Sequence, residues 1–143
     1  MGETVIREAR LEDAAALARL MEVLGYPTTL PAMQARLASI SSDSDYRTIA
    51  AEVDGQIRGM VGLRCGVQYE LDGVHVQVMA IVVDEEYQGK GFGTALMRES
   101  EAWARSLGAH RITLTSGNHR QVAHQFYKQL GYDSTGLRFV KKL

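Results

Sequence analysis

Between Val74 and Val83 the chain reads VHVQVMAIVV, and no other stretch limits the fold as sharply. Successive residues of a strand face opposite ways, so a nearly continuous apolar run predicts a central strand covered on both faces. Such a strand calls for helices on the two sides of its sheet. Directly after it, Gly89, Gly91 and Gly93 crowd a strand-to-helix junction. The stripe Phe92, Ala95, Leu96, Ala102, Trp103 and Leu107 then predicts an amphipathic helix that stops at Gly108. Glycine loses the most conformational freedom on ordering, so the cluster means a tight turn or a close approach to bare main chain.

The remainder alternates in the same way. Thr4 to Arg7 reads as a first strand, and Leu17, Leu20, Met21 and Leu24 mark a helix over Leu11 to Leu24 that Gly25 ends. A second helix starts behind Thr29, a cap residue, with Pro31 in its first turn. Asp54-Gly55 between two apolar runs is a hairpin signal. After the glycine-rich junction and its helix, RITLT predicts a strand, Gln121 to Leu130 a helix stopped by Gly131, and Tyr132 to Leu143 a last strand. The sum is an α/β chain with a mixed central sheet flanked by helices on both faces.

With 143 residues and no linker-like tract, positions 1–143 are expected to form one domain with a hydrophobic core. Sixteen basic against seventeen acidic residues leave a formal charge of −1, which gives nucleic acid no broad basic footprint. No apolar run approaches the roughly 20 residues that span a bilayer, so no membrane partner is expected. A lone cysteine, Cys65, and no leader-like start point to a cytoplasmic setting. The four histidines lack metal-ligand spacing, and no metal is expected. Cys65 has no base near it in sequence and reads as a small apolar residue.

A glycine-rich loop before a helix aims unpaired N–H groups at one spot, and the helix dipole reinforces them. The result is an anion cradle or simply a tight turn. GxxxxGK[ST] is absent, and GKGFG does not complete GxGxxG, so triphosphatase and dinucleotide sites are disfavoured.

The spacing Gln88-x-x-Gly91-x-Gly93 between strand and helix resembles the QxxGxG/A signature of the GNAT superfamily of acyl-CoA-dependent N-acyltransferases. AHQFYKQLGY, Ala123 to Tyr132, resembles that family's second signature, and the element order from Thr4 to Leu143 follows the family's. The ending GLRFVKKL and the AHQFY pattern are similar to small-amine acetyltransferases, aminoalkylphosphonate acetyltransferases among them. The resemblance implies that the backbone of Gly89, Lys90, Gly91, Phe92, Gly93 and Thr94 holds the pyrophosphate of acetyl-CoA, with Gln88 shaping the loop. It implies that the main chain of Ile81, Val82 and Val83 pairs with the pantetheine arm as an added strand. Asn118, with Gly117 as the alternative alignment, would meet the pantetheine amides, and Tyr127 would protonate the departing thiolate. Read without the resemblance, Tyr127 sits beside Phe126 on an apolar helix stripe, about 100° around from it.

One position departs from the family. Where members often carry a glutamate that deprotonates the amine, six residues before the last valine of the strand, this chain has Gln77. An amide can position water but cannot take the proton. His75, on the same face, is the candidate base, and a structural histidine is the alternative. The implied acceptor is a primary amine on a small molecule, chosen by Leu11 to Ile40 and by the loop Gly66 to Gly73. Protein acetylation and a binding module without catalysis are the rival readings, and a homodimer is left open.

Overall fold

A computed structural model describes residues 2–115 and 121–143. Cα packing divides the chain into a unit over Met1–Thr113 and a second over Leu114–Leu143. The chain forms β1 (Thr4–Glu8), α1 (Ala14–Leu24), α2 (Leu30–Ser41), β2 (Tyr46–Val53), β3 (Gln56–Val67), β4 (Val74–Val83), α3 (Phe92–Ser106), β5 (Ile112–Leu114) and α4 (Gln121–Gln129). The mixed five-stranded sheet has the order β1-β2-β3-β4-β5, so β4 is the fourth strand and β3 the middle one.

Local chemistry accounts for the boundaries. Gly25 closes α1 in the left-handed region at φ 109°, and its N–H reaches Met21 O and Glu22 O. Thr29 Oγ1 accepts from Ala32 N at 3.2 Å to open α2, and Pro31 occupies the first turn, where a missing N–H costs nothing. Asp54 (φ 49°) and Gly55 (φ 79°) both take the positive angles that a two-residue hairpin between β2 and β3 demands.

The two faces of the sheet carry different cores. Ala50, Met60 and Val82 pack with Leu17 and Leu20 of α1 and Met33 and Leu37 of α2. Gly59 lies on the other side, where a Cβ would stand 3.3 Å from Leu96 of α3. The missing side chain is what lets that helix lie close. The buried positions of α3 are Phe92, Leu96, Met97, Ser100, Glu101 and Ala104, not the expected stripe through Ala102 and Leu107, which are exposed. Apolar counting misses this face because two of its members are polar. Ser100 fits there by donating its hydroxyl to Leu96 O at 2.8 Å.

Among the described residues the last expected strand does not form. Tyr132 to Leu143 joins no ladder, and Leu137, Phe139, Val140 and Leu143 are exposed. Apolar content alone does not make a strand, which exists only through its hydrogen-bonded neighbour.

Candidate active site

Strand β4 delivers the chain into the glycine-rich junction, and its far end is where the site is built. After Asp84, a 3₁₀ turn over Glu85–Tyr87 leads to Gln88, whose Nε2 donates to Val83 O at 3.0 Å and ties the loop to the strand. Gly89 (φ 75°) and Gly91 (φ 92°) are left-handed, and a Cβ on either would meet nothing within 4 Å. Backbone conformation, and not crowding inside the protein, therefore requires glycine here, and the space in front of the loop is open. Gly91 is the N-cap of α3 and no side chain caps that helix. The first-turn N–H groups at Phe92, Gly93 and Thr94, which a helix cannot satisfy internally, are left to an outside acceptor. Buried Phe92 anchors the turn, meeting Tyr87 edge-on at 5.9 Å between ring centroids.

Within β4 the register against β3 shifts: Gly62 pairs with Ala80 and Leu63 with Val78, so Met79 is the extra residue of a bulge and is 52% exposed. The slip alters which residues share a face. Gln77, opposite Arg64, and Ala80 and Val82, opposite Gly62 and Met60, all fall on the α1/α2 side. Near the start of β4, Val76 N donates to Arg111 O at 3.1 Å, just before β5 begins. Three residues of β5 cannot run the length of the ten in β4, so Ile81, Val82 and Val83 extend past it.

His75 is 8% exposed. Arg111 donates to Gln68 Oε1 at 3.3 Å, which fixes the amide so that Gln68 Nε2 faces His75 Nε2 at 2.9 Å as donor. The neutral ring then carries its proton on Nδ1, which is buried without a partner. For His75 to take a proton from an amine, Gln68 must first release Nε2.

In the second unit, Tyr127 is half-buried on α4, 5.3 Å from the Phe126 ring and 6.3 Å from the Tyr132 ring. Phe126 is half-buried as well, so the two aromatics share the packing. The leucine-glycine-tyrosine end is a helix stop: Gly131 turns left-handed at φ 96°, Tyr132 N donates to Tyr127 O and Gly131 N to Lys128 O. Asn118, Gly117 and His119 lie outside the described residues.

The family model for the Acetyltransferase (GNAT) family matches residues 12–132. The chain belongs to the GNAT family. Among curated relatives, an uncharacterized N-acetyltransferase of Methanocaldococcus jannaschii is 31% identical over 98 residues, 64% of this chain and 43% of the relative. The chain thus spans less than half of that protein's length. Glucosamine 6-phosphate N-acetyltransferase of Trypanosoma brucei brucei is 28% identical over 139 residues, 92% of each chain. A crystal structure of a GNAT family acetyltransferase from Staphylococcus aureus superposes with a TM-score of 0.84 at 29% identity, covering 100% of both chains.

Sequence reasoning missed a set of charges behind this GNAT loop. Asp84 accepts from Arg19 at 2.6 Å and from Arg58 at 3.2 Å. Burial would raise the Asp84 carboxyl, but the hydrogen bonds and charges of Arg19 and Arg58 outweigh it and hold the group below the usual carboxylate range. The Arg58 guanidinium lies 4.9 Å from the centre of the Tyr87 ring and Lys90 Nζ 5.3 Å from it. Two cations are thereby gathered on the aromatic residue that braces the glycine turn. An aspartate directly between the strand and the glycine loop was the available signal, but its partners lie 26 and 65 residues away. Burial, with help from the Asp45 carboxylate, pushes the Cys65 thiol up, away from the thiolate a nucleophile needs. Among the described residues no group of three or more His, Cys, Asp or Glu could hold a metal, and no helix is long and apolar enough to cross a membrane.

Proposed function

We propose that the protein is an acetyl-CoA-dependent N-acetyltransferase that moves the acetyl group to a primary amine of a small molecule by direct attack in a ternary complex. The observation that carries this reading is the uncapped start of α3 behind two left-handed glycines, in a chain of the GNAT family. The N–H groups from Gly89 to Thr94 receive the pyrophosphate, with Lys90 adding charge and Gln88 holding the turn in shape. Ile81, Val82 and Val83 offer their main chain to the pantetheine arm, and the family resemblance gives its amides to Asn118 or, in the alternative alignment, Gly117. The amine nitrogen attacks the thioester carbonyl, the C–S bond breaks as the intermediate collapses, and Tyr127 gives its proton to the leaving sulfur. The proton shed by the amine passes to water held by Gln77, or to His75 once Gln68 moves away.

A small acceptor is supported by the relative that acts on glucosamine 6-phosphate. Gln77 in place of a carboxylate favours a second reading, an acyl-CoA-binding module with weak catalysis. A transfer and hydrolysis assay with acetyl-CoA against amino sugars, aminoglycosides, simple amines and peptide N-termini separates the two. Turnover with one class of small amine is expected; acetyl-CoA binding without any turnover would sink the enzyme reading, and turnover on peptides alone would replace the acceptor.

A further inference from the structure

A cradle of N–H groups binds an anion well when the groups converge before the ligand arrives, because ordering them on binding subtracts from affinity. Glycine works against this, since Gly89, Gly91 and Gly93 leave the loop its backbone freedom. Stiffness has to come from outside the glycines.

Tyr87 and Phe92 stand at the two ends of the loop, and their rings meet edge-on. Burial fixes Phe92, at 5% exposure. Tyr87 is only half-buried and is held from β3, where the Arg58 guanidinium lies 4.9 Å from its ring centre. Arg58 is held in turn. Its Nη1 donates to Asp84 Oδ2 at 3.2 Å while Asp84 N donates to Arg58 O at 2.7 Å, so one residue grips the end of β4 by both side chain and main chain. Arg19 of α1 steadies the same carboxylate oxygen, and Asp84 O accepts from Tyr87 N at 2.8 Å. Arg58 Nε is buried and has no acceptor among the described residues. An orphan donor costs stability, so this guanidinium is set for the Tyr87 ring and the Asp84 carboxylate at the expense of its own hydrogen bonds.

We infer that Arg58 is a positioning residue for acetyl-CoA: stacked on Tyr87 and braced by Asp84, it fixes the ends of the glycine loop so that the N–H groups of Phe92, Gly93 and Thr94 converge on the pyrophosphate. This rests on the acetyl-CoA reading of the loop.

Calorimetry with coenzyme A separates the two. No heat from the parent would remove the acetyl-CoA reading, and this inference with it; heat from the parent leaves Arg58 alone in question. Arg58→Met should then weaken coenzyme A by about three- to tenfold, the range of one partly buried cation–π contact. Arg58→Lys keeps the charge but loses the plane, and its affinity should stay nearer to that of Arg58→Met than to the parent's. Tyr87→Leu should cost a similar factor, and the double variant should lose no more than the larger single loss, because the two side chains act as one contact. Pantetheine has no pyrophosphate, so its affinity, read by competition with coenzyme A, should be the same in Arg58→Met and the parent; a general loss of stability would not spare it. Should Arg58→Met fail to fold, Arg58→Lys, which can still pair with Asp84, decides the matter. Full coenzyme A affinity in either Arg58 variant, additive losses in the double variant, or an equal loss for pantetheine would overturn the assignment.

Discussion

Gly91 and Tyr127 carry the sharpest residue-scale consequences. At φ 92° an L side chain is strained, so Gly91→Ala should cost about 1–2 kcal/mol of stability. The new Cβ meets no protein atom, which separates this backbone cost from any steric effect inside the fold. If the loop cradles pyrophosphate, acetyl-CoA affinity measured by calorimetry should fall further than the melting temperature accounts for; unchanged affinity in the folded variant would remove the cradle. Tyr127→Phe keeps the ring that packs on Phe126 and Tyr132. A general acid is worth about 100- to 10,000-fold, so kcat should drop within that range while acetyl-CoA binding holds. Full kcat with unchanged binding would make Tyr127 a packing residue.

Among the elements, α2 and α3 show how differently helices are secured. The moment-poor α2 depends on its cap and on two anchors, Met33 and Leu37, so Thr29→Ala should destabilise by about 1 kcal/mol, read as a shift of the urea midpoint at constant slope. By contrast α3 starts with no side-chain cap at all. Leaving those N–H groups open costs helix stability, and the deep burial of Leu96 and Met97 offsets it. Strand β4 makes a comparable compromise: the bulge at Met79 interrupts its ladder and brings Gln77 onto the face of Ala80 and Val82.

For the molecule as a whole, acid stability follows from two aspartates tied to distant arginines. Arg7 hydrogen-bonds Asp13 and lowers its carboxyl; Arg19 and Arg58 overcome burial to lower that of Asp84. Both groups bind protons more readily unfolded, where an aspartate titrates near 3.9. Their stabilisation is therefore complete above that value and is lost as pH falls through the lower folded values. The melting temperature should be level from pH 7 to about 5 and fall below about 4, and Asp13→Asn should shrink that fall. An equal fall in Asp13→Asn and the parent would show that the pair does not govern acid unfolding.

Local rules made much of this legible in the sequence. The cap at Thr29, the turn at Asp54-Gly55, the stops at Gly25 and Gly131 and the glycine-rich junction all depend on the backbone preferences of residues within a few positions of one another. The span of β4 was equally plain, because its apolar run is bounded by polar turns. Three things were decided only by tertiary structure. The buried face of α3 includes Ser100, which is admitted by a bond to Leu96 O that no hydropathy pattern encodes. Tyr132 to Leu143 has strand-like composition but no ladder among the described residues, since pairing belongs to two segments and not to one. The surroundings of His75 depend on Gln68 and Arg111, 7 and 36 residues away in the chain, whose charges and amide orientation fix which ring nitrogen is occupied. Long-range register and amide direction are set by packing, and that is why the chemistry of His75 had to wait for the fold.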